Sequence, residues 1–331
     1  MRVAVLGGGA WGTALADLLA KKGDDVVLWA REPEVVESIN AAHVNNHFLP
    51  DAGLAPSLRA EADVTRAVAG AEVVVSAAPS FAARSVIRQA APTLDRGALV
   101  VSVSKGLEDD LKTMSTVLAE ELPAGTAVSV LSGPSFAREV HEGQPTAVVA
   151  AAADEAVAKR AQRAFSCGHF RVYTHTDVVG VELGGALKNV IALAAGILEG
   201  LGLGHNPRAA LITRGLAEIT RLGVRMGADP MTFAGLAGMG DLILTATGGL
   251  SRNRQLGMEL GRGKSPAEAL AGKTTVAEGV NTARTAVALG ERHGVELPIA
   301  RQVSDILFQG KAPRQAITDL MERDLKPEQW R

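Results

Sequence analysis

The sequence predicts an α/β protein, a doubly wound and mostly parallel sheet at the N-terminal end followed by an all-helical C-terminal part. Three observations carry this. The glycine-rich string Gly7-Gly8-Gly9-Ala10-Trp11-Gly12 joins the apolar run 3–6 (VAVL) to a helical pattern over 13–22. Short, near-continuous apolar runs then alternate with helical patterns as far as residue 174, as buried parallel strands and their crossover helices do. From residue 177 onward no strand period recurs, and every segment has helical spacing broken by Gly or Pro.

The glycine string fixes the first element. Gly7 takes the tight turn, Gly9 lets backbone approach a pyrophosphate, and Gly12 permits close helix–strand packing. Free amides and the dipole of the following helix then face an anion. A strand–turn–helix with this spacing is Rossmann-like and predicts a dinucleotide-binding domain over residues 1–180, with a helical substrate and catalytic domain over 181–331. A second strand is expected at 25–30 (DVVLWA) and ends at Arg31. An acid about 20 residues beyond the glycines suits a ribose hydroxyl, whereas an arginine suits a 2′-phosphate, so Arg31 leans towards NADP(H). Residues 40–50 (NAAHVNNHFLP) have the composition of a polar loop, with His43 and His47 near a helix end and no third metal ligand close in sequence.

Further strands are expected at 72–77, 98–103 and 126–131, and two more at 146–151 and 170–174 flank a helix at 155–165. The strand ends supply binding loops on one crevice: Ala78-Pro79-Ser80, Ser104-Lys105-Gly106 and Ser132-Gly133-Pro134-Ser135. Lys105 leaves a buried strand directly and is a placed cation. The segment 177–203 is so apolar that Glu182, Lys188, Asn189 and Glu199 are nearly its only polar side chains, which predicts a buried central helix. A lysine there must be paired, must snorkel or must line a cleft, and desolvation beside another cation would lower its pKa into general-base range. Later, Ser251 is a helix N-cap followed by Arg252, Asn253 and Arg254, a helix start suited to a phosphate.

Composition excludes other classes. At 331 residues, 47% of them apolar, the chain forms more than one core and is not disordered. A net charge of −2 gives no basic excess for nucleic acid or a membrane surface, so the expected partners are small molecules. Cys167 is the single cysteine, which leaves no intrachain disulfide and no cysteine zinc site and fits a cytoplasmic setting. No transmembrane helix is expected. Two near-matches to a P-loop, at 263–265 and 272–274, lack the earlier glycine, since Met258 and Ala267 stand there, and neither follows a strand.

With these residues assembled, the chain resembles the bacterial NAD(P)-dependent sn-glycerol-3-phosphate dehydrogenases along essentially its whole length. The matching blocks are residues 7–16 (GGGAWGTALA), 104–107 (SKGL), 131–137 (LSGPSFA), 182–191 (ELGGALKNVI), 238–247 (GMGDLILTAT) with Ser251-Arg252-Asn253-Arg254, and 275–279 (TVAEG). The resemblance implies interconversion of dihydroxyacetone phosphate and sn-glycerol 3-phosphate, feeding glycerophospholipid synthesis, with NADP(H) preferred, NAD(H) accepted and no metal. It implies Lys188 as the catalytic proton acceptor. Lys105, Gly133, Ser135, Asp241, Ser251, Arg252 and Asn253 are implied substrate contacts, with Asp241 fixing Lys188 or a substrate hydroxyl. Trp11, Arg31, Phe48, Ala137, Val276 and Glu278 are implied cofactor positions, shared with Gly7, Gly9, Gly12, Lys105 and Arg252. Phe48 stands where the family usually has Tyr, and His205-Asn206-Pro207 departs from the usual Asp-Asn-Ala. A homodimer is the family expectation. One alternative is a β-hydroxyacid-type dehydrogenase, in which lysine and asparagine lie a helical turn apart, whereas Lys188 and Asn189 are adjacent. The other is a non-catalytic NADP(H) sensor, which has no use for a buried lysine facing the nicotinamide.

Overall fold

The computed structural model describes residues 1–272, 277–325, 327 and 328. Ten strands occur among them: β1 (Arg2–Leu6), β2 (Asp25–Trp29), β3 (Val44–Asn45), β4 (Leu49–Gly53), β5 (Arg59–Glu61), β6 (Val73–Ser76), β7 (Leu99–Ser102), β8 (Ala127–Ser132), β9 (Thr146–Ala151) and β10 (Phe170–His175). Eight form one sheet in the order β10-β9-β8-β7-β6-β1-β2-β5, in which only β8 and β9 pair antiparallel. The expected strands are all present. Alternate residues of each central strand enter different cores: Val3, Val5, Val73, Val75, Leu99 and Val101 lie in one, and Ala4, Leu6, Val74 and Val100 in the other. A sheet covered by apolar packing on both faces explains why these strands read as unbroken apolar runs.

The strand order reverses between β1 and β6, which opens a crevice at their C-terminal ends. The glycine turn sits there. Gly7 has φ +135°, and a Cβ on it would lie 2.8 Å from the Ala77 backbone that leaves β6. A Cβ on Gly12 would lie 2.0 Å from the Gly7 carbonyl oxygen, so the helix Ala10–Lys21 starts hard against the strand.

Two features differ from the sequence expectation. Residues 40–50 are not a simple loop: the helix Pro33–Ala42 ends on His43 in the left-handed region (φ 52°), and the β3–β4 hairpin follows. The polar edge strand β5, paired with β2, was also not anticipated. Both are too short and too polar to carry an apolar period, and long-range side-chain bonds hold the hairpin. Buried Asn45 donates through Nδ2 to Gly8 O and Thr13 Oγ1, both at 2.8 Å. Asp17 accepts from the Ala55 amide at 2.8 Å. Leu49 and Ala52 pack on Ala10, Trp11 and Ala14.

No strand occurs after β10 among the described residues, and helices follow from Val178. The helix Val178–Gly200 is buried over nearly all its length and begins with Asp177 capping the Gly180 amide. It is long and apolar enough to cross a membrane, with a mean hydropathy of 1.5, but 89% of that stretch is covered by neighbouring elements. The helix Arg252–Gly261 lies directly on it. A Cβ on Gly196 would lie 2.0 Å from Arg254 O, and one on Gly257 would lie 2.1 Å from Leu193 O. The two backbones therefore touch through Gly196 and Gly200 on one helix and Gly257 and Gly261 on the other. Glu199 clamps the same pair, accepting from Arg254 Nη2 at 2.7 Å on each oxygen. Gly257→Val should force the helices apart and cost roughly 3 kcal/mol. A urea melt in which that variant matches the parent chain would contradict backbone-to-backbone packing.

Candidate active site

Three charged side chains from distant segments meet where the sheet faces the helical part. Lys188 comes from the middle of the central helix and is 6% exposed. Asp241 opens the helix Asp241–Thr247 just after a π-helical turn, Leu236–Gly240, and is 1% exposed. The turn approaches closely because Gly184 leaves room: a Cβ there would lie 2.5 Å from Ala237 O. Lys105 follows β7 and its short connection. The Lys188 ammonium donates to Asp241 Oδ1 and, at 2.8 Å, to Thr245 Oγ1. Lys105 Nζ donates to Asp241 Oδ2 and to Gly133 O, each at 2.7 Å, and reaches Ser135 Oγ at 3.4 Å. One buried carboxylate thus bridges two ammonium groups.

The electrostatics follow from that arrangement. Burial lowers the Lys188 pKa, attraction to Asp241 opposes it, repulsion from Lys105 adds to it, and the result is about 7. For Asp241 burial alone would raise the pKa, but Lys105 and Lys188 together outweigh it and hold the carboxyl below its ordinary range.

A second chain of bonds surrounds the triad. Asn189 donates to Lys105 O at 3.0 Å and accepts from Asn253 Nδ2 at 3.0 Å, while Asn253 Oδ1 accepts from the Gly279 amide at 3.0 Å. Asn253 is therefore engaged in the interior, with one Nδ2 hydrogen unused among the described residues. Ser251 caps its helix by accepting from the Arg254 amide at 3.2 Å. Arg252, in the first turn, is exposed by surface area, but packing around its guanidinium lowers its pKa from the ordinary arginine value and attraction to Glu278 opposes that. Gly133 has φ +140°, and a Cβ on it would lie 2.9 Å from Val148 Cα, so its contribution is the backbone carbonyl. Glu278 binds the N-terminus of the helix Ser80–Ala90, accepting from the Ser80 amide at 3.0 Å and from Ser80 Oγ at 2.6 Å.

The remaining candidates lie along the crevice. The Gly8 and Gly9 amides donate to nothing among the described residues, and a Cβ on Gly9 would meet no atom within 4 Å. Open space in front of free amides at a helix start fits a dinucleotide pyrophosphate. Trp11 and Ala137 pack against the same small cluster of Ala14, Leu49 and Ala52 beside this turn, and the buried Trp11 Nε1 has no partner among the described residues. Phe48 is half-buried on the hairpin with its ring edge-on to His47, and its amide donates to Asn45 Oδ1 at 3.3 Å. Arg31 stands just past β2, 81% exposed, with Glu32 as its partner at 2.8 Å. Val276 lies outside the described residues. Sequence reasoning assigned no role to Thr245 or Asn45, and placed Ser80 in a crevice loop without its partner Glu278. Thr245 was detectable as the residue one turn beyond Asp241 on the same helix face, whereas Asn45 and Ser80 are defined only by partners far away in the chain.

The comparison with known proteins decides the family. The N-terminal model of NAD-dependent glycerol-3-phosphate dehydrogenase matches residues 2–158, and the C-terminal model matches residues 177–318. The chain belongs to the NAD-dependent glycerol-3-phosphate dehydrogenase family. It is 58% identical over 332 residues to a Geobacter sulfurreducens protein named glycerol-3-phosphate dehydrogenase (NAD(P)+), covering 99% of both chains. The crystal structure of glycerol-3-phosphate dehydrogenase from Coxiella burnetii has a TM-score of 0.93 at 40% identity, over 97% of this chain and 99% of that one. The Saccharomyces cerevisiae enzyme has a TM-score of 0.80 at 27% identity, over 98% and 99%. This chain is thus an NAD(P)-dependent glycerol-3-phosphate dehydrogenase, an oxidoreductase acting between dihydroxyacetone phosphate and sn-glycerol 3-phosphate. Membership removes the β-hydroxyacid and sensor alternatives.

Replacing Asp241 by Asn would leave two ammonium groups facing each other in the interior. The expected cost is about 3–5 kcal/mol of stability. The loss should be larger at pH 6 than at pH 9, because the unfolded chain keeps Lys188 protonated where the folded variant resists charging it. Thermal melts at the two pH values check this, and an equal or opposite difference would contradict the electrostatic reading.

Proposed function

We propose that Lys188 is the general acid and base of this dehydrogenase. In the reducing direction protonated Lys188 delivers the proton to the carbonyl oxygen of dihydroxyacetone phosphate, and Lys105 polarises the same oxygen. In the oxidising direction neutral Lys188 takes the hydroxyl proton. The nicotinamide, when bound, supplies or accepts the hydride at the carbon. Asp241 keeps both lysines in place and restrains the depression of the Lys188 pKa. Arg252, the remaining Asn253 hydrogen and the start of the helix Arg252–Gly261 hold the substrate phosphate, and that remote binding orients the reacting carbon. The observation that carries this reading is a lysine buried in an apolar helix and paired with Asp241, whose burial lowers its pKa to about 7.

The glycine turn, Trp11 and Ala137 would hold the dinucleotide, with Glu278 closing the site from the helical side. Arg31 selects the 2′-phosphate of NADP(H) over the free ribose of NAD(H), since its guanidinium stands exposed just past β2 with only Glu32 beside it. Residues 1–180 and 181–331 act as the cofactor and substrate domains, and the crevice between them is the site. The working form is a cytoplasmic homodimer, and its product enters glycerophospholipid synthesis.

Oxidation of NADPH on adding dihydroxyacetone phosphate tests the reaction directly, and cofactor binding without turnover would sink it. Because the acid form of Lys188 is needed, kcat/KM for reduction should fall as pH rises through about 7, and glycerol 3-phosphate oxidation should rise over the same interval. Lys188→Ala should lower kcat by about 10²–10⁴-fold with NADPH affinity retained. Substantial activity in that variant would remove Lys188 from the role. Arg31→Glu should shift the ratio of kcat/KM values from NADPH towards NADH, and an unchanged ratio would show that Arg31 does not contact the 2′-phosphate.

A further inference from the structure

The loop that carries Lys105 is gripped from two sides. The helix Ser80–Ala90 offers Ser80 and Arg84, one turn apart on the same face. A Cβ on Gly106 would lie 2.6 Å from Ser80 Oγ, so the loop backbone rests on Ser80. Two residues further on, Glu108 receives a bidentate contact from Arg84, Nε to Oε1 at 2.6 Å and Nη2 to Oε2 at 2.7 Å. Arg84 also reaches Glu121 at 2.6 Å and Glu120 at 2.7 Å, at the end of the helix Met114–Glu121 into which the loop runs. Arg88 pairs with Glu121, and Lys112 with Asp110 and Glu120. On the opposite side Leu107 and Leu111 pack into the helical core, and Asn189 holds the Lys105 carbonyl. Leu111 is in the left-handed region (φ 71°), a conformation a non-glycine residue keeps only when its surroundings impose it.

An isolated surface ion pair contributes little. A guanidinium fork closed by three carboxylates, set three residues from Lys105 at the base of a loop with a strained residue, has a positional task instead. We propose that the Arg84–Glu108 pair is a positioning latch for the family's reaction, fixing the loop so that Lys105 stands against Asp241 and beside Lys188. Arg84 acts through Lys105 and is a positioning residue. The inference rests on the reading of Lys188 as the acid and base, because the Lys188 titration is its readout.

The test compares the pH profile of dihydroxyacetone phosphate reduction in the parent enzyme, Arg84→Met and Glu108→Ala. The Lys105 charge lowers the Lys188 pKa, so releasing the loop raises the inflection. As bare charge changes, the two substitutions pull in opposite directions: loss of a cation raises the Lys188 pKa and loss of an anion lowers it. The latch predicts that both raise the inflection, by about half a pH unit, and lower kcat/KM for dihydroxyacetone phosphate about tenfold. The double variant should add little to either single change, since the two side chains act as one unit. Arg84→Lys keeps the charge, loses the fork geometry and is the gentler variant should Arg84→Met not fold; it should shift the profile in the same direction. Opposite shifts in Arg84→Met and Glu108→Ala, or no shift, would overturn the latch while leaving the parent inflection intact. A parent profile with no inflection near 7, or an active Lys188→Ala enzyme, would instead overturn the Lys188 reading and the latch with it.

Discussion

The bridge from Lys188 through Asp241 to Lys105 is the interaction on which the rest of the structure depends. Three charges are withdrawn from water at one point, and none could be buried alone at acceptable cost. Asp241, held below its ordinary carboxyl range by both lysines, accepts from Lys105 and leaves Lys188 poised at about 7. The same arrangement that makes burial tolerable therefore also sets the proton affinity that the proposed acid–base role of Lys188 needs. Thr245 completes it by accepting from Lys188 while donating back to the Asp241 carbonyl at 2.7 Å.

Much of the surrounding architecture serves to bring these three segments together. Gly184 admits the π-helical turn ahead of Asp241, and the Gly196–Gly257 contact seats the Ser251–Asn253 helix start along the same central helix. Asn189 and Asn253 then join that helix start to the Lys105 loop through neutral hydrogen bonds. On the sheet side, the reversal of strand order between β1 and β6 leaves Gly9 of the glycine turn facing open space, and Asn45 holds the Gly8 carbonyl through a 2.8 Å hydrogen bond. Glu278 spans the two halves by binding the N-terminus of the helix after β6.

Residues differ in how far their roles could be read before the structure was known. The central strands were legible because both faces are buried, which writes the sheet into unbroken apolar runs. The β3–β4 hairpin and β5 were not, since strands of two to five residues containing Pro50, Asp51 or Arg59 carry no apolar period. Lys188 stood out as a cation within an apolar helix, and the effects of burial and of a second cation on it could be reasoned from its setting. Asp241 could be assigned to Lys188 or to a substrate hydroxyl but not to both lysines at once, because its partners lie 53 and 136 positions away in the chain. Arg84 and Asn45 carried no signal, since only the tertiary structure brings Glu108 or Gly8 to them.

The central claim is that the triad holds Lys188 at a near-neutral pKa inside the folded protein. It is tested most directly by an NMR titration of the lysine side chains in the intact enzyme, with the Lys188 resonance assigned by its absence in Lys188→Arg. The account predicts one lysine titrating at about 7, with the inflection moving upward when Lys105 is replaced by Met. A Lys188 resonance that stays protonated until the ordinary lysine range, about 10.4, would contradict it.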